Sequence, residues 1–128
     1  MAFTILIVDD SATTRAVIKR SIEMAQVETE NILQAANGRD ALDVLDDIAV
    51  DLVFLDLNMP EMNGMTFAAE VKNRPELART PIVVVSSESM DSRVQQLRDL
   101  GVRGYIKKPF TPENIRSVIN EILGVVHA

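Results

Sequence analysis

The chain has no cysteine and no tryptophan, one tyrosine and one histidine. Without cysteine, disulfides and thiolate chemistry are excluded, and a cytoplasmic location is permitted and expected. Basic residues are the minority, 13 Lys+Arg against 19 Asp+Glu, for a net charge of -6. That balance argues against direct nucleic-acid binding, which needs a basic patch, and it suits a soluble protein that holds a cation. No apolar run approaches the roughly 18 residues of a membrane span. The first strand-like run starts after three residues with no basic segment before it, so no signal peptide is expected. Neither G-x-G-x-x-G nor the P-loop pattern occurs, which speaks against a nucleotide-binding module. There is no Ser/Gly linker and no internal repeat, so residues 1–128 are expected to form one domain. Hydrophobic residues make up 47% of the chain, enough for a core and too many for a disordered tail.

Five short apolar runs are present: Ile5–Val8, Asn31–Ala35, Leu52–Leu57, Ile82–Val85 and Gly104–Ile106. The first, third and fourth are continuous rather than alternating, as expected of strands covered on both faces. The second and fifth are shorter and more polar, as expected at the edges of a sheet. Helical patterns separate them, over Thr13–Ala25 (Val17, Ile18 and Ile22 on one face), Arg39–Ile48 (Ala41, Leu42, Leu45 and Ile48), Gly64–Asn73 and Ser89–Leu100. Gly101 is the expected stop of the fourth helix. Thr111 is the expected N-cap of the fifth and Pro112 its first residue, with Ile115, Val118, Ile119 and Ile122 as its buried stripe. Strand–helix alternation five times over implies an α/β fold, a parallel sheet with helices on both faces.

In open parallel sheets the reactive groups gather beyond the carboxyl ends of the strands. Strand one ends in Asp9, Asp10 and Ser11, and strand three in Asp56, Leu57 and Asn58. Strand four ends in Ser86, Ser87 and Glu88, and strand five in Lys107, Lys108 and Pro109. Strand two ends in Ala36 and Asn37, which read as inert. A carboxylate at the tip of a buried strand must be paired, coordinated or exposed, because burying it alone costs several kcal/mol. Helix capping would explain Asp9 or Asp10 taken singly, but not a second acidic strand tip at Asp56. Crowded carboxylates suit Mg²⁺, which takes one or two of them and keeps several waters. With Lys108 as a point charge and Ser86 as a hydroxyl donor, the set is suited to stabilising a transferring phosphoryl group. An aspartate can itself be the nucleophile. Lys107 points away by strand alternation and reads as a solvated surface lysine.

Four segments, Val8–Ser11, Asp56–Gly64, Ser86–Glu88 and Tyr105–Phe110, occur in an order and spacing that closely resemble response-regulator receiver domains of the single-domain chemotaxis type. The resemblance covers essentially the whole chain. It implies a flavodoxin-like, doubly wound five-stranded sheet in the order 2-1-3-4-5 with five helices, an order that comes with the family and not from the residues. It implies that Asp56 is the phospho-acceptor. Asp9 and Asp10, with the backbone carbonyl of Asn58, are then the Mg²⁺ ligands beside Asp56, Asp10 the more direct. Ser86 is the switch hydroxyl, Lys108 the phosphate-binding lysine and Tyr105 the aromatic switch, and the Lys108–Pro109 bond is cis. The partners implied are a sensor histidine kinase as donor and a downstream protein target, a flagellar switch or another signalling protein. Neither nucleic-acid binding nor membrane insertion is implied, and the protein is expected to be a monomer.

The connection around Gln26–Asn31 looks longer than in enteric relatives. Lys107 stands where a small apolar residue is common, and Arg103 adds a second basic group near the same surface. An enzyme of the haloacid-dehalogenase class also uses a strand-end aspartate and Mg²⁺, but it needs Asp-x-Asp, which neither Asp9-Asp10-Ser11 nor Asp56-Leu57-Asn58 supplies. A constitutive scaffold of the same fold would have no use for the intact acidic set. A histidine kinase is excluded as an identity, since the sole histidine, His127, stands in the C-terminal tail. The chain is therefore expected not to be an enzyme beyond its own phosphoryl transfer and dephosphorylation. The resemblance extends to Asn58 and Glu88, the types found in fast-turnover chemotaxis regulators and small or acidic enough to admit or position a water. It implies a phosphoryl lifetime of seconds to minutes. Following phosphate loss from the Mg²⁺-loaded protein checks this, and a lifetime of hours contradicts it.

Overall fold

The computed structural model describes residues 2–57, 62–87 and 94–124. In chain order the elements are β1 (Phe3–Val8), α1 (Ala12–Met24), β2 (Thr29–Ala35), α2 (Gly38–Asp47), β3 (Leu52–Leu55), α3 (Gly64–Asn73), β4 (Ile82–Ser86), α4 (Val94–Asp99), β5 (Val102–Lys107) and α5 (Pro112–Leu123). The strands form one parallel sheet in the order β2-β1-β3-β4-β5.

Strand alternation explains the continuous apolar runs. Leu6, Val8, Val53, Leu55 and Val84 face one side, against Ala41, Leu42 and Leu45 of α2, Phe67 and Val71 of α3 and Leu97 of α4. Ile5, Ile7, Leu52, Phe54, Val83 and Val85 face the other, against Ile18 and Ile22 of α1 and Ile115 and Ile119 of α5. Each Val, Leu, Ile or Phe among them, fully buried, contributes about 1.5–3 kcal/mol of transfer free energy. The central strands are thus pinned on both faces, and their carboxyl ends emerge together along one edge of the sheet.

Helix caps set where the chain turns back from that edge. Ser11 Oγ accepts from Thr14 N at 3.2 Å to open α1, and Asn63 Oδ1 accepts from Thr66 N at 2.9 Å to open α3. Thr111 and Asn114 form a reciprocal capping box at the start of α5, where Pro112 is the first residue as the sequence implies. Gly101 follows α4 at φ +88°, a left-handed turn that suits glycine.

Several expectations change. The edge strands β2 and β5, with seven and six residues, are longer than the central β3 with four. Their outward positions are polar, so counting apolar residues undercounts them. Strand β3 stops at Leu55 rather than Leu57. Asp56 N still donates to the Val8 carbonyl at 2.9 Å, but Leu57 folds back into the core and its carbonyl accepts from Gly64 N. Val17 is 50% exposed rather than part of the α1 stripe. It lies about 100° round the helix from Ile18, on the flank of the buried face. Ile48 caps α2 in an extended conformation and is exposed, so it leaves the helical face. Asn37 is not inert: its side chain accepts from Asp40 N at 2.8 Å and caps α2. The first half of the expected fourth helix, 89–93, lies outside the described residues.

Gly64 joins the fold to the acidic loop. A Cβ there would stand 2.6 Å from the Asp56 carbonyl oxygen and 2.7 Å from Leu57 Cα, both backbone atoms. Helix propensity alone favours Gly64→Ala by up to about 1 kcal/mol, whereas forcing a methyl group into a packed site costs about 1–3 kcal/mol. The contact is with backbone, which cannot swing aside, so Gly64→Ala is expected to be destabilising. Urea denaturation checks the sign; a stabilised variant contradicts the packing account.

Candidate functional site

The end of β1 lies between two neighbours. Asp9 N donates to the Ala35 carbonyl of β2 at 3.1 Å, while the Val8 carbonyl accepts from Asp56 N on the side of β3. Two acidic loops therefore leave adjacent strands side by side. Asp9, Asp10 and Asp56 each offer a carboxylate oxygen, and these oxygens lie within 4.8 Å of one another. Asp9 is only 2% exposed, Asp56 is half-buried and Asp10 is exposed. The cluster is a gradient from interior to solvent, open on the Asp10 side.

Asp9 is held on one oxygen and unsatisfied on the other. Its Oδ1 accepts from Ser11 N at 2.8 Å. Its Oδ2 is buried and has no hydrogen-bond partner among the described residues. Lys108 approaches that oxygen to 3.6 Å, an ion pair beyond hydrogen-bonding reach. The lysine is delivered by β5, which ends at Lys107, and by a bond from Lys108 N to the Ser86 carbonyl at 2.8 Å. Among the described residues, Lys108 and the Arg15 guanidinium on the Asp9 carbonyl stand against three carboxylates, which leaves net negative charge around a buried oxygen. Hard oxygen donors, an unsatisfied one among them, open on one side to solvent, fit Mg²⁺ by the chemistry of the donor set.

The other residues singled out from the sequence are distributed as follows. Ser86 is buried at the end of β4, with its backbone tied to Lys108. Tyr105 is half-buried on β5, opposite Val84, and packs against the α2–α3–α4 side of the core. Lys107 is exposed, as strand alternation implies, while the Lys108 side chain is 27% exposed and turned to the cluster. The Lys108–Pro109 bond is cis. Asn58, Glu88 and His127 lie outside the described residues. A groove of about 310 Å³, lined by Tyr105, Ile106, Lys107, Asn114, Ser117 and Val118, runs between β5 and α5. A larger one of about 350 Å³ opens at the opposite end of the strands, around Leu45–Val50 and Thr80, away from the acidic cluster.

Arg15 escaped the sequence reading. Its Nη1 donates to the Asp9 carbonyl at 2.6 Å and its Nε to Gln34 Oε1 at 3.0 Å. A lone basic residue in the first turns of the helix that follows Asp-Asp-Ser was the available signal. The dipole of a helix start disfavours a cation there, so such a residue has some other reason to be present.

The family model described as response regulator receiver domain matches residues 5–120. Chemotaxis protein CheY1 of Helicobacter pylori is 35% identical over 121 residues, which cover 94% of this chain and 96% of that protein. The structure of chemotaxis protein CheY4 of Vibrio cholerae superposes with a TM-score of 0.85 at 29% identity, covering 95% of this chain and 99% of that one. The receiver domain of the Pseudomonas aeruginosa sensor histidine kinase PA1611, described with a magnesium ion coordinated in its active-site cleft, shares the fold at a TM-score of 0.84 and 18% identity, covering 98% of this chain and all (100%) of that one. With a family match across most of its length and a relative above the level at which homology is secure, this chain belongs to the response regulator receiver domain family.

Proposed function

We propose that this receiver accepts a phosphoryl group on Asp56 and relays that event to a protein partner in a chemotaxis or chemotaxis-like pathway. One observation carries the reading: the buried, unsatisfied Oδ2 of Asp9 stands in a three-carboxylate cluster with Lys108 at 3.6 Å. That arrangement is short of positive charge as it stands, and it is suited to a cation and an incoming phosphoryl group. Asp9, Asp10 and Asp56, with the backbone carbonyl of Asn58, would hold Mg²⁺, which when bound supplies charge that offsets the phosphoryl oxygens.

The chain's own residues then divide the work. An Asp56 carboxylate oxygen attacks phosphorus, and the bond from phosphorus to the histidine nitrogen of a sensor kinase breaks. Lys108, anchored at the end of β5, pairs with a phosphoryl oxygen in place of Asp9. Ser86, on the neighbouring strand end, donates its hydroxyl to another. Asn58 and Glu88 tune the water that later releases phosphate, by the chain's own chemistry.

A phosphoryl group adds about −1.5 to −2 charges at neutral pH. Drawing Ser86 and Lys108 toward it moves the ends of β4 and β5 beside the half-buried Tyr105, whose side chain moves between two positions. The surface of α4, β5 and α5 changes with it, and the groove beside Tyr105 and Lys107 is where a target protein reads the state. This is a two-state population shift biased by a local charge. Residues 1–128 act as one receiver domain, a cytoplasmic monomer whose output is protein contact. No helix among the described residues is long and apolar enough to cross a membrane.

Acetyl phosphate with Mg²⁺ is expected to add one phosphoryl mass to the wild type and none to Asp56→Asn, read by intact-protein mass spectrometry. Retained labelling of the variant at another residue contradicts the assignment.

A further inference from the structure

We propose that Arg15 is a positioning residue for the cation site: it holds the Asp9–Asp10 peptide so that both carboxylates face Asp56. This inference rests on the Mg²⁺ reading above and concerns a residue that touches none of the reacting groups.

The carbonyl of Asp9 is the first one past the end of β1. Val8 still serves the sheet on the side of β3, and Asp9 N still serves it on the side of β2. The Asp9 carbonyl is taken instead by a side chain, Arg15 Nη1 at 2.6 Å. The same guanidinium is fixed at its other edge, where Nε donates to Gln34 Oε1 on β2 at 3.0 Å. Arg15 sits one turn into α1, and its own N–H donates to the Ser11 carbonyl at 3.0 Å. With the Asp9 Oδ1 bond to Ser11 N, these contacts close a ring through Asp9, Ser11 and Arg15. The carbonyl that Arg15 grips belongs to the same rigid peptide unit as the amide of Asp10, so one contact holds the plane from which both side chains depart. A planar fork with two fixed donors suits that task better than a flexible ammonium.

Charge and position predict opposite signs. If Arg15 acts only as a positive charge beside the cluster, removing it strengthens cation binding, because a nearby like charge is lost. If it acts by holding the peptide, removing it weakens binding, as loss of the groups that orient metal ligands does, by about 10- to 100-fold.

The experiment is isothermal titration of Mg²⁺ alone into the wild type, Arg15→Met, Arg15→Lys and Gln34→Ala at one ionic strength. Circular dichroism in EDTA checks that each is folded. The expected result is that Arg15→Met binds Mg²⁺ about tenfold or more weakly. Arg15→Lys, which keeps the charge and loses the fork, is weakened by less, and Gln34→Ala falls between the wild type and Arg15→Met. Affinity of Arg15→Met equal to or above that of the wild type overturns the proposal, and so does wild-type affinity in Arg15→Lys. Should Arg15→Met not fold, Arg15→Lys decides alone. Failure of the wild type to bind Mg²⁺ overturns the cation site itself and this inference with it.

Discussion

Three carboxylates meet at the ends of two neighbouring strands, and one of them, Asp9, is buried. Like charges about 4 Å apart repel by about 4 kcal/mol at an effective dielectric near 20. A fold does not gather them without something that offsets the repulsion. Lys108 offsets part of it at 3.6 Å from Asp9 Oδ2, and that oxygen still has no hydrogen bond among the described residues. On the proposed function, this imbalance of charge is what makes the site responsive. In that reading, a cation, and then a phosphoryl group that would recruit Lys108, change this local balance of charge.

The rest of the molecule keeps the cluster from relaxing. Strands β1 and β3 are apolar on both faces and carry helices on both sides, so neither can slide to separate Asp9 from Asp56. Gly64 lets the start of α3 pack against the backbone of Asp56 and Leu57. The cap at Ser11 and the fork of Arg15 fix the loop of Asp9 and Asp10 from the other side. Strand β5 carries Tyr105 and ends one residue before Lys108, so the proposed phosphate-binding lysine and the proposed aromatic switch lie three residues apart. The proposed coupling between site and surface is short because Ser86 ends β4 and Tyr105 lies on the neighbouring β5.

Much of this was legible in the sequence. Continuous apolar runs marked the central strands, since only a strand covered on both faces can be apolar throughout. The acidic tips of β1 and β3 and the lysine after β5 followed from where parallel strands end. The edge strands were read too short because their outer positions are polar and blur the pattern. Val17 and Ile48 were assigned to the core because periodicity assigns a face without locating the helix end or the width of the buried stripe. Asn37 was read as inert because a cap is recognised by the turn that it closes, and that turn was not yet placed. Arg15 was missed for a related reason: its partners, the Asp9 carbonyl and Gln34, are a backbone atom and a residue on another strand. No side-chain motif records such a contact.

The account stands or falls on whether the acidic cluster takes a cation in the folded protein. Thermal unfolding of the wild type in EDTA and at rising Mg²⁺ measures this directly. A ligand that binds only the folded state adds about 2.7 kcal/mol of stability at a hundredfold excess over its Kd, so the Tm is predicted to climb by several degrees as Mg²⁺ saturates. A Tm that is the same in EDTA and in saturating Mg²⁺ would contradict it.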